Sequence, residues 1–167
     1  AVIVADPDSL ALPGEPDDGA SPASPPPAAD SPALLMYTSG TTGVPKGVLL
    51  TQANLCANAE AISAEHALTA SDRVLAVLPL YHINAFAVTM LAPLASRGSV
   101  AMAPKFSAAR FWAQAAQTRC TWINVVPTIV SYLLEGETPP REALARIRFC
   151  RSASAALPPE HLRGFEQ

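Results

Sequence analysis

A chain of 167 residues, half of them hydrophobic and 15% charged, is long enough for one domain with its own core, which excludes wholesale disorder. The net charge of −3 conceals a split: residues 1–32 carry six acidic side chains and no Lys or Arg, while the rest is +3, too weakly basic for a nucleic-acid-binding face. Cys56, Cys120 and Cys150 are odd in number and lack C-x-x-C pairing, so they read as buried thiols of a reducing, cytoplasmic protein rather than a disulfide framework or zinc site.

The chain opens inside an apolar run, Ala1–Val4, which reads as the end of a strand, with no initiator Met and no signal peptide ahead of it. It closes at Gln167 within a predicted helix, so both ends read as cuts in a longer protein. Residues 6–32 hold eight of the seventeen prolines and are expected to form an exposed acidic loop, because proline fixes φ and removes backbone donors. Order is expected from residue 33. Ala33–Tyr37 reads as a buried strand, and Val48–Leu50 as a second. Thr51 is placed to cap a helix over about 52–66, with Leu55, Ala59, Ile62 and His66 on one stripe.

Val74–Leu78 reads as a strand and residues 84–96 as a helix stopped by Gly98. The 23 residues between Arg73 and Arg97 carry no charge, but Pro79, His82, Asn84 and Pro93 break them up, so a buried strand and helix are expected rather than a membrane span. Further strands are expected over 99–103, 121–126 and 147–151. Helices are expected from Ser107 to about Gln117, from Pro127 through Leu134, over 141–145, and from Pro158 onward. This alternation implies an α/β fold: a largely parallel sheet with flanking helices, part of a layered domain. Such sheets bind ligands at the carboxyl ends of their strands. The loops expected there are Thr38–Lys46, Pro79–Asn84, Val126–Thr128 and Arg151–Leu157.

The first of these loops carries the strongest signal, Tyr37-Thr38-Ser39-Gly40-Thr41-Thr42-Gly43-Val44-Pro45-Lys46-Gly47. Glycines let a backbone approach an anion closely, hydroxyls add neutral donors, and lysine adds a point charge, so the composition describes a phosphate cradle. It is not a Walker A loop, in which the lysine leads directly into a helix; here Pro45 and Gly47 flank Lys46 and β-type residues follow.

This run resembles the signature phosphate loop of the AMP-forming adenylate-forming superfamily, which includes acyl-CoA synthetases, adenylation domains and firefly-type luciferases. Leu78-Pro79-Leu80-Tyr81-His82, Val126-Pro127-Thr128 and Arg151–Pro158 are similar to later segments of that family, so the resemblance spans roughly residues 33–167. It implies ATP-dependent activation of a carboxylic acid as an acyl-adenylate, then transfer to coenzyme A. An adenylation domain or fatty acyl-AMP ligase serving a carrier protein, and a non-catalytic nucleotide-binding module, remain alternatives.

By the same resemblance, Thr38, Ser39, Gly40, Thr41, Thr42, Gly43 and Lys46 would hold the ATP phosphates, and Thr38 would help hold Mg²⁺. His82 would gate the acyl site, the catalytic position of this segment. Ser152, Ala153, Ser154, Ala155, Ala156 and Thr128 would line the substrate pocket. The family's adenine-binding, magnesium-binding and C-terminal lysine motifs would lie past Gln167, so the segment is not expected to catalyse alone.

One physical argument bears on the substrate. No Asp or Glu occurs from Arg73 through Leu134. A buried ammonium without a counter-charge is costly, so an α-amino acid is disfavoured against a plain carboxylic acid. Ile83, Ala85, Phe86 and Val88 suit a fatty or other acyl chain, and Ala153, Ala155 and Ala156 would leave it room.

Overall fold

The computed structural model describes residues 25–38 and 45–167, together with the backbone of a short strand, β1 (Val2–Val4). Five strands form one wholly parallel sheet in the order β1-β5-β4-β6-β7. Here β4 is Arg73–Ala76, β5 Ser99–Met102, β6 Trp122–Val125 and β7 Phe149–Ser152. The apolar opening of the chain is therefore a strand, with Val2 paired to Val100 at the sheet edge.

The strands are near-continuous apolar runs because both sheet faces are covered. Along β4 the side chains alternate between two clusters. Leu75 and Val77 join Phe111, Ile123, Val125, Val130 and Leu133 on one face. Val74 and Ala76 join Val88, Val100 and Trp122 on the other. The first face is covered by α3 (Ala108–Gln117) and α4 (Pro127–Leu134). Over the second lies α1 (Gln52–Glu65), packed against the helical stretch that follows β4. That stretch is a wide π-helix over Ala85–Leu91, continued by α2 (Ala92–Ala95). It ends at Gly98, where a Cβ would stand 2.8 Å from the Asp72 carbonyl oxygen, so no larger residue fits.

The helix signals hold in detail. Thr51 caps α1 with a full capping box: its Oγ1 accepts from Asn54 N at 3.2 Å, and Asn54 Oδ1 accepts from Thr51 N at 3.0 Å. Ala59 is buried, and Leu55, Ile62 and His66 are half-buried on the same stripe. Ser107 occupies the cap position of α3, although its hydroxyl makes no capping bond. Two shorter helices complete the chain, α5 (Arg141–Leu144) and α6 (Pro159–Phe165). No helix among the described residues is long and apolar enough to cross a membrane.

Three expectations need correction. Residues 32–38 and 46–51 do not join the parallel sheet. They form a separate antiparallel ribbon of β2 (Pro32–Thr38) and β3 (Lys46–Thr51), so Pro32 already belongs to a strand. Nor is β2 buried: Leu35, Tyr37, Val48 and Leu49 are exposed, because a lone ribbon has only one face to lay against α1. Cys56 is exposed on the outer side of α1, whereas Cys120 is buried and Cys150 half-buried. Burial pushes the Cys120 thiol up to about 11 and the Cys150 thiol to about 12, so both are inert at neutral pH. Most of the proline-rich segment lies outside the described residues. Its end, residues 25–31, is mostly exposed, and the carbonyls of Ala29 and Ser31 accept from the first amides of α1, Ala53 and Gln52.

Candidate functional site

Strands β4, β6 and β7 are neighbours, so the loops leaving their carboxyl ends converge. Between these loops lies a cavity of about 390 Å³, lined by Leu78, Pro79, His82, Ile83, Asn84, Ala85, Val126 and Ser154. His82 N donates to the Pro79 carbonyl at 3.1 Å, which fixes the turn, and its ring lies 4.5 Å from that of Tyr81. The π-helix starts directly behind this turn; such widened turns frequently mark functional sites. Ser154 adopts a left-handed φ of 75°, a conformation an L-residue holds only when its surroundings enforce it. Its hydroxyl accepts from Asn84 Nδ2 at 3.3 Å.

Asn84 is also tied to β7. Arg151 Nη1 donates to Asn84 Oδ1 and to Asn124 Oδ1, both at 2.9 Å. Asn124 is fully buried and pairs in register with Arg151 across β6 and β7. Its Nδ2 and the Oγ of Ser152 are buried without a hydrogen-bond partner. Burial holds Arg151 below the usual arginine range, and no carboxylate is ion-paired with it among the described residues.

Of the residues expected to line a substrate pocket, only Ser154 does so alongside His82. Ala155, Ala156 and Thr128 are exposed and lie off the cavity wall, while Ala153 is half-buried with its amide on the Val125 carbonyl. Val88 belongs to the core rather than to an acyl channel. Asn84, Asn124 and Arg151 were not singled out as site residues. The available signal was Asn124 itself, a polar residue of low strand propensity inside the β-branched run Trp122-Ile123-Asn124-Val125.

At the ribbon tip, Thr38 and Lys46 are directly paired and both exposed, and Thr38 Oγ1 donates to the Lys46 carbonyl at 3.4 Å. Ser39, Gly40, Thr41, Thr42 and Gly43 lie outside the described residues. The loop therefore leaves an antiparallel ribbon, not a parallel-sheet strand.

Comparison with known proteins places this geometry. A family model described as AMP-binding enzyme matches residues 1–167. The chain belongs to that family. It is 61% identical over 167 residues to a sulfoacetate–CoA ligase of Cupriavidus necator, covering 99% of this chain and 32% of that relative. An oxalate–CoA ligase of Arabidopsis thaliana is 37% identical, with 98% of this chain and 31% of the relative covered. Among solved structures, ATP-bound MatB from Rhodopseudomonas palustris superposes with a TM-score of 0.76 at 31% identity, over 84% of this chain and 27% of that one. A malonyl-CoA ligase with methylmalonyl-CoA and AMP bound gives 0.72 at 32% identity, over 93% and 33%. The chain thus spans about a third of the length of the curated relatives it matches.

Proposed function

We propose that the full-length protein is a coenzyme A ligase that activates a short carboxylic acid bearing a second anionic group. The observation that carries this reading is the 61% identity, over nearly the whole chain, to a ligase named for sulfoacetate. Relatives named for oxalate and malonate point the same way. This narrows the fatty or other acyl chain suggested by the apolar residues after β4 to a short one, on the names of these relatives. Coenzyme A rather than a carrier protein as acceptor is supported by the names of the same relatives.

In the reaction, a carboxylate oxygen attacks the α-phosphorus of ATP, the bond to pyrophosphate breaks, and an acyl-adenylate forms. The thiol of coenzyme A then forms the thioester, releasing AMP and a proton. This chain's part is to hold the leaving phosphates and the acid. Thr38 and Lys46, facing each other at the exposed ribbon tip, fit the phosphate role, with residues 39–43 between them. Mg²⁺ would offset phosphate charge there. Thr38 is this chain's candidate ligand by the resemblance of its loop to the family's phosphate loop. His82 would meet the reacting carboxylate at the cavity wall, which Ser154 also lines.

The test pairs each dianion with a monoanionic isostere of the same shape, such as sulfoacetate and methylsulfonylacetate, and follows pyrophosphate release and thioester formation by the full-length protein. Preference for the dianion is expected, and equal use of the monoanion overturns the substrate reading. Lys46→Ala should lower kcat/KM for ATP roughly ten- to 150-fold through loss of one charge-assisted contact. Unchanged ATP dependence removes Lys46 from the phosphate site.

A further inference from the structure

We propose that Arg151 is the specificity-determining residue for the second anionic group of the acid, presented beside Asn84 at the cavity wall. The inference rests on the short-dianion reading above and adds the residue that enforces it.

The geometry is that of a guanidinium held in place with its binding edge free. An arginine has five N–H donors. Nη1 is spent on two amide oxygens, Asn84 Oδ1 and Asn124 Oδ1. Nε and Nη2, the side-on fork that matches a carboxylate or sulfonate bidentately, have no partner among the described residues. The anchors are neutral amides, so they orient the cation without cancelling its charge. The sequence from Arg73 through Leu134, which supplies most of the cavity wall, holds no carboxylate that could do so. Arg151 is half-buried, which leaves it reachable while strengthening its interaction with an anion.

A second observation comes from Asn124. Its Nδ2 is fully buried and unpartnered although its Oδ1 is engaged by Arg151. A buried donor of this kind is open to a ligand oxygen or to a water. The link to the cavity is short: Arg151 bonds Asn84, and Asn84 both lines the cavity and bonds Ser154, which also lines it. A second charged group entering a cavity walled by Leu78, Pro79, Ile83, Ala85 and Val126 would be prohibitively desolvated unless paired. Arg151 is not itself a lining residue, but it is a cation one hydrogen bond behind that wall, through Asn84.

The full-length protein should be compared with Arg151→Met and Arg151→Lys, using the sulfoacetate and methylsulfonylacetate pair. For Arg151→Met, both acids should lose some kcat/KM because Asn84 and Asn124 lose a donor, but the loss for the dianion should exceed that for the monoanion by roughly ten- to 150-fold. Arg151→Lys, which keeps charge but not the fork, should fall in between. Equal losses for both acids would show that Arg151 only supports the fold, and would overturn the assignment while leaving the substrate reading intact. If the unsubstituted protein itself shows no dianion preference, the substrate reading fails first and the assignment with it. A measurement on the unsubstituted protein covers variants that do not fold. Phenylglyoxal labelling of Arg151, read by peptide mass spectrometry, should be suppressed by sulfoacetate and not by methylsulfonylacetate. Labelling that neither acid changes overturns the proposal.

Discussion

Arg148 and Arg151 lie three residues apart at opposite ends of one strand, and the structure treats them differently. Arg148, just ahead of β7, donates from Nη1 to Asp72 Oδ1 at 2.6 Å. Asp72 is buried, and every one of its oxygens is served: Thr121 Oγ1 donates to Oδ1 at 2.8 Å, and Thr69 donates to Oδ2 from its amide at 2.8 Å and its hydroxyl at 3.0 Å. The Asp72 backbone joins in, its carbonyl accepting from Ser99 N and its amide donating to the Thr69 carbonyl. Around Asp72, at the amino ends of the strands, the carboxylate's polar chemistry is closed on itself and holds loops together, although Trp122 Nε1 at the start of β6 is buried without a partner. At the carboxyl ends, Arg151 keeps donors free and Asn124 and Ser152 have buried atoms without partners. A saturated network is a structural device; an unsaturated one, beside a cavity, is waiting for something.

The largest effect that would sharpen this contrast is at Asp72. Asp72→Ala strands Thr69 and Thr121 and leaves Arg148 without its carboxylate. Arg148 is 44% exposed, so water recovers part of its loss, and the cost should be about 2–4 kcal/mol in urea-induced unfolding. The choice between dianionic and monoanionic acids should not move. If Asp72→Ala changed acid preference while stability held, the division between the two ends of the sheet would be wrong.

The two ends were not equally legible in the sequence. The α/β alternation, the start of α1 and the loops after β4, β6 and β7 could be read because they follow from local patterns: apolar periodicity, Thr51 ahead of an apolar stripe, and prolines at helix starts. The ribbon was misplaced because an antiparallel pair and two successive parallel strands look alike locally. Pairing between Pro32 and Thr51 is a long-range fact. Half of the cavity wall was legible for the same reason. His82 and Ser154 sit in recognisable loops. The Asn84–Arg151–Asn124 cluster joins residues 67 and 27 positions apart in sequence, and only strand register brings them together.

A smaller effect separates a cap that bonds from one that only occupies the position. Thr51→Ala should cost about 1 kcal/mol, since its hydroxyl accepts from Asn54 N, whereas Ser107→Ala should cost a few tenths at most. Equal losses in chemical denaturation would mean that Ser107 caps α3 after all.

The smallest effect reaches across the sheet face between the two arginines. His66, at the end of α1, stacks on Phe149 with ring centres 5.0 Å apart, and Phe149 lies between Arg148 and Arg151 in sequence. Burial first, then the positive charge of Arg151, holds the His66 pKa below its ordinary 6.5, with Glu65 opposing. The folded state therefore binds fewer protons than the unfolded chain just below pH 6.5. The stabilisation that His66 gives is complete above that pH and is lost as pH falls toward the folded pKa. Asp72 adds a second, lower step. Burial raises its pKa, but hydrogen bonds from Arg148, Thr121 and Thr69 outweigh this and leave it below 3.8, so its contribution disappears only as pH falls past that value. His66→Gln should remove the upper step and spare the lower. Arg151→Met should move the His66 titration upward without restoring it fully, because burial is the larger cause, and a bound dianion should do the same by neutralising the guanidinium. Histidine NMR titrations of the full-length protein, assigned with His66→Gln, measure both shifts. A His66 pKa indifferent to Arg151 and to the dianion would mean that the charge of Arg151 is already cancelled, which would place it with Arg148 among closed structural contacts.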